Sequence, residues 1–208
     1  MGYIAIMTNL ASKKFFRIVT VCAIAAISLT ACGSNNMSGP TSSQSSDDMM
    51  GDESTLSAAD IMFLQMMIPH HEQAIEMSKL ATTNTKNPDV LDLAAGIEAA
   101  QQPEIDLMKK LLSDAGQSDM PGHSMGHGMS DDGMMNESDM AALASAKDSG
   151  FDRLYLIGMI AHHNGAIAMA GAVSDSLNPD VKTLVNNIIS SQTAEIAEMN
   201  KIVDALPL

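Results

Sequence analysis

The residues best suited to chemistry in this 208-residue chain are its six histidines and nineteen methionines. Four of the histidines form two adjacent pairs, His70-His71 and His162-His163, each followed within a few residues by alanine and methionine. Imidazole with thioether is the ligand set that suits Cu(I), and imidazole with carboxylate oxygen serves Cu(II). Thioether needs no deprotonation, so it works in acidic, oxidising surroundings where a thiolate would be lost. The candidate metal ligands are therefore His70, His71, His162 and His163. Met66, Met67, Met77, Met159 and Met169 are soft supplements, and Glu104 and Glu195 are ligands or the groups that orient ligands. A second candidate lies between the paired motifs, where His123, Met125, His127 and Met129 alternate with glycine and serine. Met134, Met135 and Met140 follow in an acidic, Gly-rich stretch where no core-packing role is expected, so this crossover reads as a loop that captures metal.

A plainer account stands beside this one. Histidine of one helix hydrogen-bonded to Glu or Gln of the next would satisfy a polar layer and fix the register of a bundle. Methionine at helical spacing is commonly core filler, and the crossover would then be an oxidisable linker.

What must position these residues is an internal repeat. Asp60, Met67, Ile68, His70, His71, Ala74 and Met77 return 92 residues later as Asp152, Met159, Ile160, His162, His163, Ala166 and Met169. Asn87-Pro88-Asp89-Val90, Gln101, Glu104-Ile105 and Met108 return 91 residues later as Asn178-Pro179-Asp180-Val181, Gln192, Glu195-Ile196 and Met199. Each half thus holds two helices. Asn-Pro-Asp supplies a capping side chain, a proline at the first helical position and an acid at the positive helix end, so helices start at Pro88 and Pro179. The first helix should open near Ser57, with Asp60 completing a capping box, and the second should stop at Gly116. The third should run from about Phe151, after a break at Ser149-Gly150, with a short helical lead from Ser138. Pro69 and Pro103 fall inside helices and should bend them or free a carbonyl. On a 3.6-residue wheel both histidines of a pair, and the glutamate and glutamine of the following helix, lie within the apolar arc. A carboxylate there must be paired, protonated or metal-bound. Two such hairpins bury their stripes most economically as an all-α four-helix bundle.

The chain begins with Lys13, Lys14 and Arg17, then an uncharged run over 18–31 too short to span a bilayer. It ends in Leu29-Thr30-Ala31-Cys32, the pattern of a lipoprotein signal, which makes 1–31 the leader and Cys32 the lipidated first residue of an extracytoplasmic, membrane-anchored protein. Residues 32–56, poor in large aliphatics, should be a flexible tether to the four-helix domain at 57–208. That domain divides into repeat one at 57–116, the Met/His-rich crossover at 117–137 and repeat two at 138–208. Cys22 goes with the leader and Cys32 carries lipid, so no thiol is left for metal or disulfide. All twenty-five acidic residues follow Cys32 and three of the eleven basic ones precede it, leaving eight basic residues and a net charge of −17. With no tryptophan and few aromatics this argues against nucleic acid and for metal cations as partners, the membrane being reached through the lipid alone.

The Met-Ile-Pro-His-His motif at 67–71, the later Gln-x-x-Glu-Ile-x-x-Met at 101–108, and the second occurrence of both resemble the bacterial domain-of-unknown-function 305 family over about residues 57–208. The resemblance implies a ferritin-like four-helix bundle and, for some members, copper binding or copper tolerance in the periplasm or at the cell surface. It carries over to His70, His71, His162, His163, Met67 and Met159. The second copy departs from the motif, with Ala161 in place of proline and Asn164-Gly165 after the histidines. The leading function is a tethered copper scavenger or carrier that could pass its ion to a copper-handling protein. The alternatives are a metal-free structural or partner-binding bundle and a di-metal oxidase. The oxidase is disfavoured because Glu-x-x-His is absent: Met67, Ile68, Met159 and Ile160 stand three residues before the histidines. No catalytic residue is assigned.

Overall fold

The computed structural model describes residues 55–120 and 132–207. Five helices are present among them: α1 (Ala58–Asn84), α2 (Pro88–Asp114), α3 (Glu137–Ser145), α4 (Asp148–Gly171) and α5 (Pro179–Ala205). The four long ones form the bundle and pair as the repeat requires, α1 on α2 and α4 on α5, with α1 against α4 joining the halves. No helix among the described residues is long and apolar enough to cross a membrane.

The helix starts follow from their side chains. Ser57 caps α1, its hydroxyl accepting from the Asp60 amide while the Asp60 carboxylate accepts from the Ser57 amide. Asn87 and Asn178 cap α2 and α5 ahead of Pro88 and Pro179, and α2 stops at Asp114 with Ala115 as its cap and then Gly116, whose φ of +67° is the left-handed conformation glycine tolerates. Both α1 and α2 run uninterrupted through Pro69 and Pro103.

Two expectations need correction. The break before α4 is not at Ser149-Gly150, which form its first turn. The chain reverses at Ala146-Lys147-Asp148, with Asp148 at φ +49°, a position aspartate accepts more readily than most residues. Asn84 secures this corner by donating to the Leu143 and Ala144 carbonyls and accepting from Lys147. The methionines at the end of the crossover also have packing roles. Met135 and Met140 are partly buried against the core, where α3 lies across α1 and α4.

The core divides into two apolar clusters. One is built around Phe63, Leu64, Met67 and Ile68 of α1 with Ile105, Met108, Leu112, Leu184 and Ile188. The other gathers Met77, Leu93, Ile97, Phe151, Tyr155, Met159 and Met199. On every long helix the residues between these clusters are polar: His70 and His71 on α1, Gln101 on α2, His162 and His163 on α4, Gln192 on α5. Thus a buried polar layer crosses the bundle at mid-height. Ser78 and Tyr155 hydrogen-bond at 2.9 Å across the α1/α4 seam on one side of it.

Candidate metal centre

His71, His162 and His163 have no exposed surface and His70 retains 1%. The repeat makes two matched pairs: His71 Nε2–H donates to Glu104 at 2.8 Å, and His163 Nε2–H donates to Glu195 at 2.7 Å. The glutamates lie at the edge of the layer, with 18% and 19% of their side chains exposed, so their free oxygens reach water while the rings stay dry. His70 Nε2–H donates to the Asp132 backbone carbonyl at 2.9 Å. Donation from Nε2 fixes the tautomer of a neutral ring and leaves a lone pair on Nδ1. The Nδ1 atoms of His70, His71 and His163 are buried and make no hydrogen bond.

His162 goes further, since neither of its ring nitrogens has a hydrogen-bond partner. Its ring lies 3.7 Å from that of His70, centroid to centroid, and 6.4 Å from that of His163. Burial, reinforced by the neighbouring imidazoles, holds His162 well below the usual histidine pKa, and burial first of all lowers His70 to about 4. Both rings are therefore neutral at physiological pH, the form in which imidazole ligates a metal. The amides of Gln101 and Gln192 complete the layer, also without partners on nitrogen or oxygen. Buried polar atoms in folded proteins are nearly always paired, and each orphan costs about 1–3 kcal/mol. A cluster of so many in one layer calls for an occupant.

The donor set limits what that occupant can be. Among the described residues no three His, Cys, Asp or Glu side chains converge to hold one ion, so an ion demanding four nitrogen and oxygen ligands from these residues alone does not fit. One content with two imidazoles and a soft thioether does. Met67, Met77 and Met159 are fully buried in the apolar clusters beside the layer. Met66 and Met169 are brought elsewhere, to a shallow groove that they line with Met62. His123, Met125, His127, Met129 and Cys32 lie outside the described residues.

Sequence reasoning missed the segment that covers the layer. Residues 132–135 lie along the α1/α4 seam, where Gln73 accepts from the Met135 amide and donates to the Met135 carbonyl. A Cβ on Gly165 would sit 1.6 Å from the Asp132 carbonyl oxygen, and one on Gly133 2.2 Å from that of Ala161. Only glycine admits this approach. The available signal was the pair Gly158 and Gly165, two turns apart on α4 and flanking the histidines.

The family model described as Domain of unknown function (DUF305) matches residues 60–203. A DUF305 fragment from Deinococcus radiodurans is 28% identical, with a TM-score of 0.65 over 72% of this chain and 98% of that one. CopM in its Cu(I)-bound form is 30% identical, with a TM-score of 0.60 over 73% of this chain and 98% of that one, and CopM has also been solved with Cu(II) and with silver. The uncharacterized protein L153 of Acanthamoeba polyphaga mimivirus is 44% identical over 55 residues, 26% of this chain. The chain spans 36% of that relative's length.

Proposed function

The chain belongs to the DUF305 family, and from that premise we propose that it binds copper as Cu(I) in the mid-bundle histidine layer and holds it outside the cytoplasm, as a scavenger or carrier anchored by lipid at Cys32. The observation that carries the reading is the set of buried imidazole nitrogens without partners, three of them on rings oriented through Nε2 by Glu104, Glu195 and the Asp132 carbonyl. A ring held this way presents its lone pair at no further cost in ordering, the arrangement that raises ligand basicity in metal proteins. The neutral rings of His70 and His162 and the thioethers release no proton on binding, so their part in uptake continues in a mildly acidic envelope. The shortage of convergent nitrogen and oxygen ligands among the described residues favours Cu(I) in this layer over Cu(II) and over zinc. That CopM, a protein of similar fold, has been solved with Cu(I), with Cu(II) and with silver supports copper as the ion bound.

The crossover serves in this reading as the capturing element and the bundle as the retaining one. The bundle's ligands are preorganised by folding and so hold an ion longer. No reaction is part of the proposal, and the Glu-x-x-His motif of a di-metal oxidase does not accompany the histidine pairs. Export and lipidation rest on the leader and Leu29-Thr30-Ala31-Cys32, and mass spectrometry of the mature amino terminus tests them.

His162→Leu separates this reading from a purely structural layer. Because His162 makes no hydrogen bond, leucine removes two orphaned polar atoms, and the metal-free protein should gain about 1–3 kcal/mol. Cu(I) affinity, read by competition with a chelator, should fall by about 100-fold or more, larger than the loss of an orienting group. An affinity unchanged within tenfold would overturn the proposal.

A further inference from the structure

Met62 and Met66 stand one helical turn apart on α1, and Met169 of α4 faces them across the seam. With Ala59, Phe63 and Val173 they line an open groove of about 250 Å³. The groove offers thioether sulfur and almost nothing else that could ligate. Met62 is 41% exposed, so the groove can be reached from solvent.

The repeat shows what the same position holds at the other end of the seam. Met66 corresponds to Gly158 and Met169 to Met77. There the space is closed: the Met135 sulfur lies 3.1 Å, and the Met77 methyl 3.5 Å, from where a Cβ on Gly158 would be. Two thioethers are thus packed together on one side of the histidine layer, while three on the other side surround an open space. Along the helices the groove is one turn from His70 and two from His162, about 6–10 Å. The side chains are unbranched, with three rotatable bonds each, so their sulfurs can converge on a small ion without moving the backbone. The chain's net charge of −14 draws cations to its surface, and Asp175 lines the adjoining cavity that shares Ala59 and Val173 with the groove.

We propose that Met62, Met66 and Met169 form a second, all-thioether site for a monovalent soft cation, Cu(I) or Ag(I), separate from the histidine layer and more open to solvent. Binding there exchanges no proton and no electron. Three neutral sulfurs exclude harder ions such as zinc, calcium and magnesium, so the groove selects by softness before an ion reaches the imidazoles. The site goes beyond the copper reading above, since it needs neither the histidines nor the crossover.

The test uses the full mature chain with methionine methyl groups labelled for NMR and titrated with Ag(I), following the histidine ring protons in the same spectra. The methyl signals of Met62, Met66 and Met169 should shift together and saturate with one ion, independently of the histidine signals. The triple variant M62L/M66L/M169L, whose substitutions conserve volume, should bind one ion fewer per chain and still perturb the histidines. Silver that shifts other methionine methyls while leaving these three in place, or an unchanged ion count in the triple variant, would overturn the site and leave the histidine proposal standing. Shifts of these three with silent histidines would support the groove and count against the histidine layer.

Discussion

Replacing Gly165 by alanine should destabilise the protein, although helix propensity alone argues the opposite. Gly165 lies inside α4, where alanine ordinarily gains about 1 kcal/mol. Its Cβ, however, would fall 1.6 Å from the Asp132 carbonyl oxygen and 2.2 Å from the carbonyl carbon, both backbone atoms that no rotamer change can move. Segment 132–135 must lift. Lifting breaks the His70–Asp132 bond, leaving a buried imidazole N–H without an acceptor at about 1–3 kcal/mol, and endangers the two Gln73–Met135 bonds at about 0.5–1.5 kcal/mol each. The net expectation is a loss of about 1–5 kcal/mol after the propensity gain. Gly96 of α2 is the control: it is exposed and helical, with nothing within 4 Å of an added Cβ, so Gly96→Ala should stabilise by about 1 kcal/mol. Urea unfolding of the metal-free variants gives both values from the midpoint shift at constant slope, and amide exchange at Met135 reports the segment directly. A Gly165→Ala protein as stabilised as Gly96→Ala, with Met135 still protected, would refute the docking of this segment over the histidines.

The remaining predictions concern the layer itself. The metal-free protein should lose stability as pH falls from about 6.5 towards 4, because the unfolded chain takes up protons that His70 and His162 in the folded state do not. His70 alone accounts for about 3 kcal/mol across that window, a loss absent above pH 6.5 and readable as a falling midpoint in urea. Glu104→Gln and Glu195→Gln each keep a hydrogen-bonding side chain but remove the carboxylate that orients His71 or His163. Each should weaken Cu(I) binding about 10–100-fold, measured by chelator competition, with only a small change in the circular dichroism of the bundle.

Most of the bundle was legible because its signals are local or periodic. Asn87-Pro88-Asp89 and Asn178-Pro179-Asp180 mark two helix starts by capping chemistry, and the wheel placed His71 and Glu104 inside a stripe before any contact was known. The repeat then implied His163 with Glu195. What escaped were features made by approach between elements. Residues 132–135 carry no periodicity, so nothing in their own composition tells that Met135 packs beside Met77. That information sits on α4, in the missing side chains of Gly158 and Gly165. Met66 and Met169 fall near their histidines on a wheel, yet a wheel has no axial coordinate, and the turns between them place both in a separate groove with Met62. The break before α4 was misplaced because Ser149-Gly150 has the composition of a turn, whereas the reversal depends on one aspartate in a left-handed conformation.

X-ray absorption at the copper edge of the mature protein loaded with a single equivalent of Cu(I) tests the central claim most directly. Binding in the histidine layer predicts two or three ligands, with the multiple-scattering pattern of at least two imidazole rings, from His70, His71, His162 or His163, and at most one sulfur. A spectrum with sulfur alone, or with a single imidazole among oxygens, would contradict it.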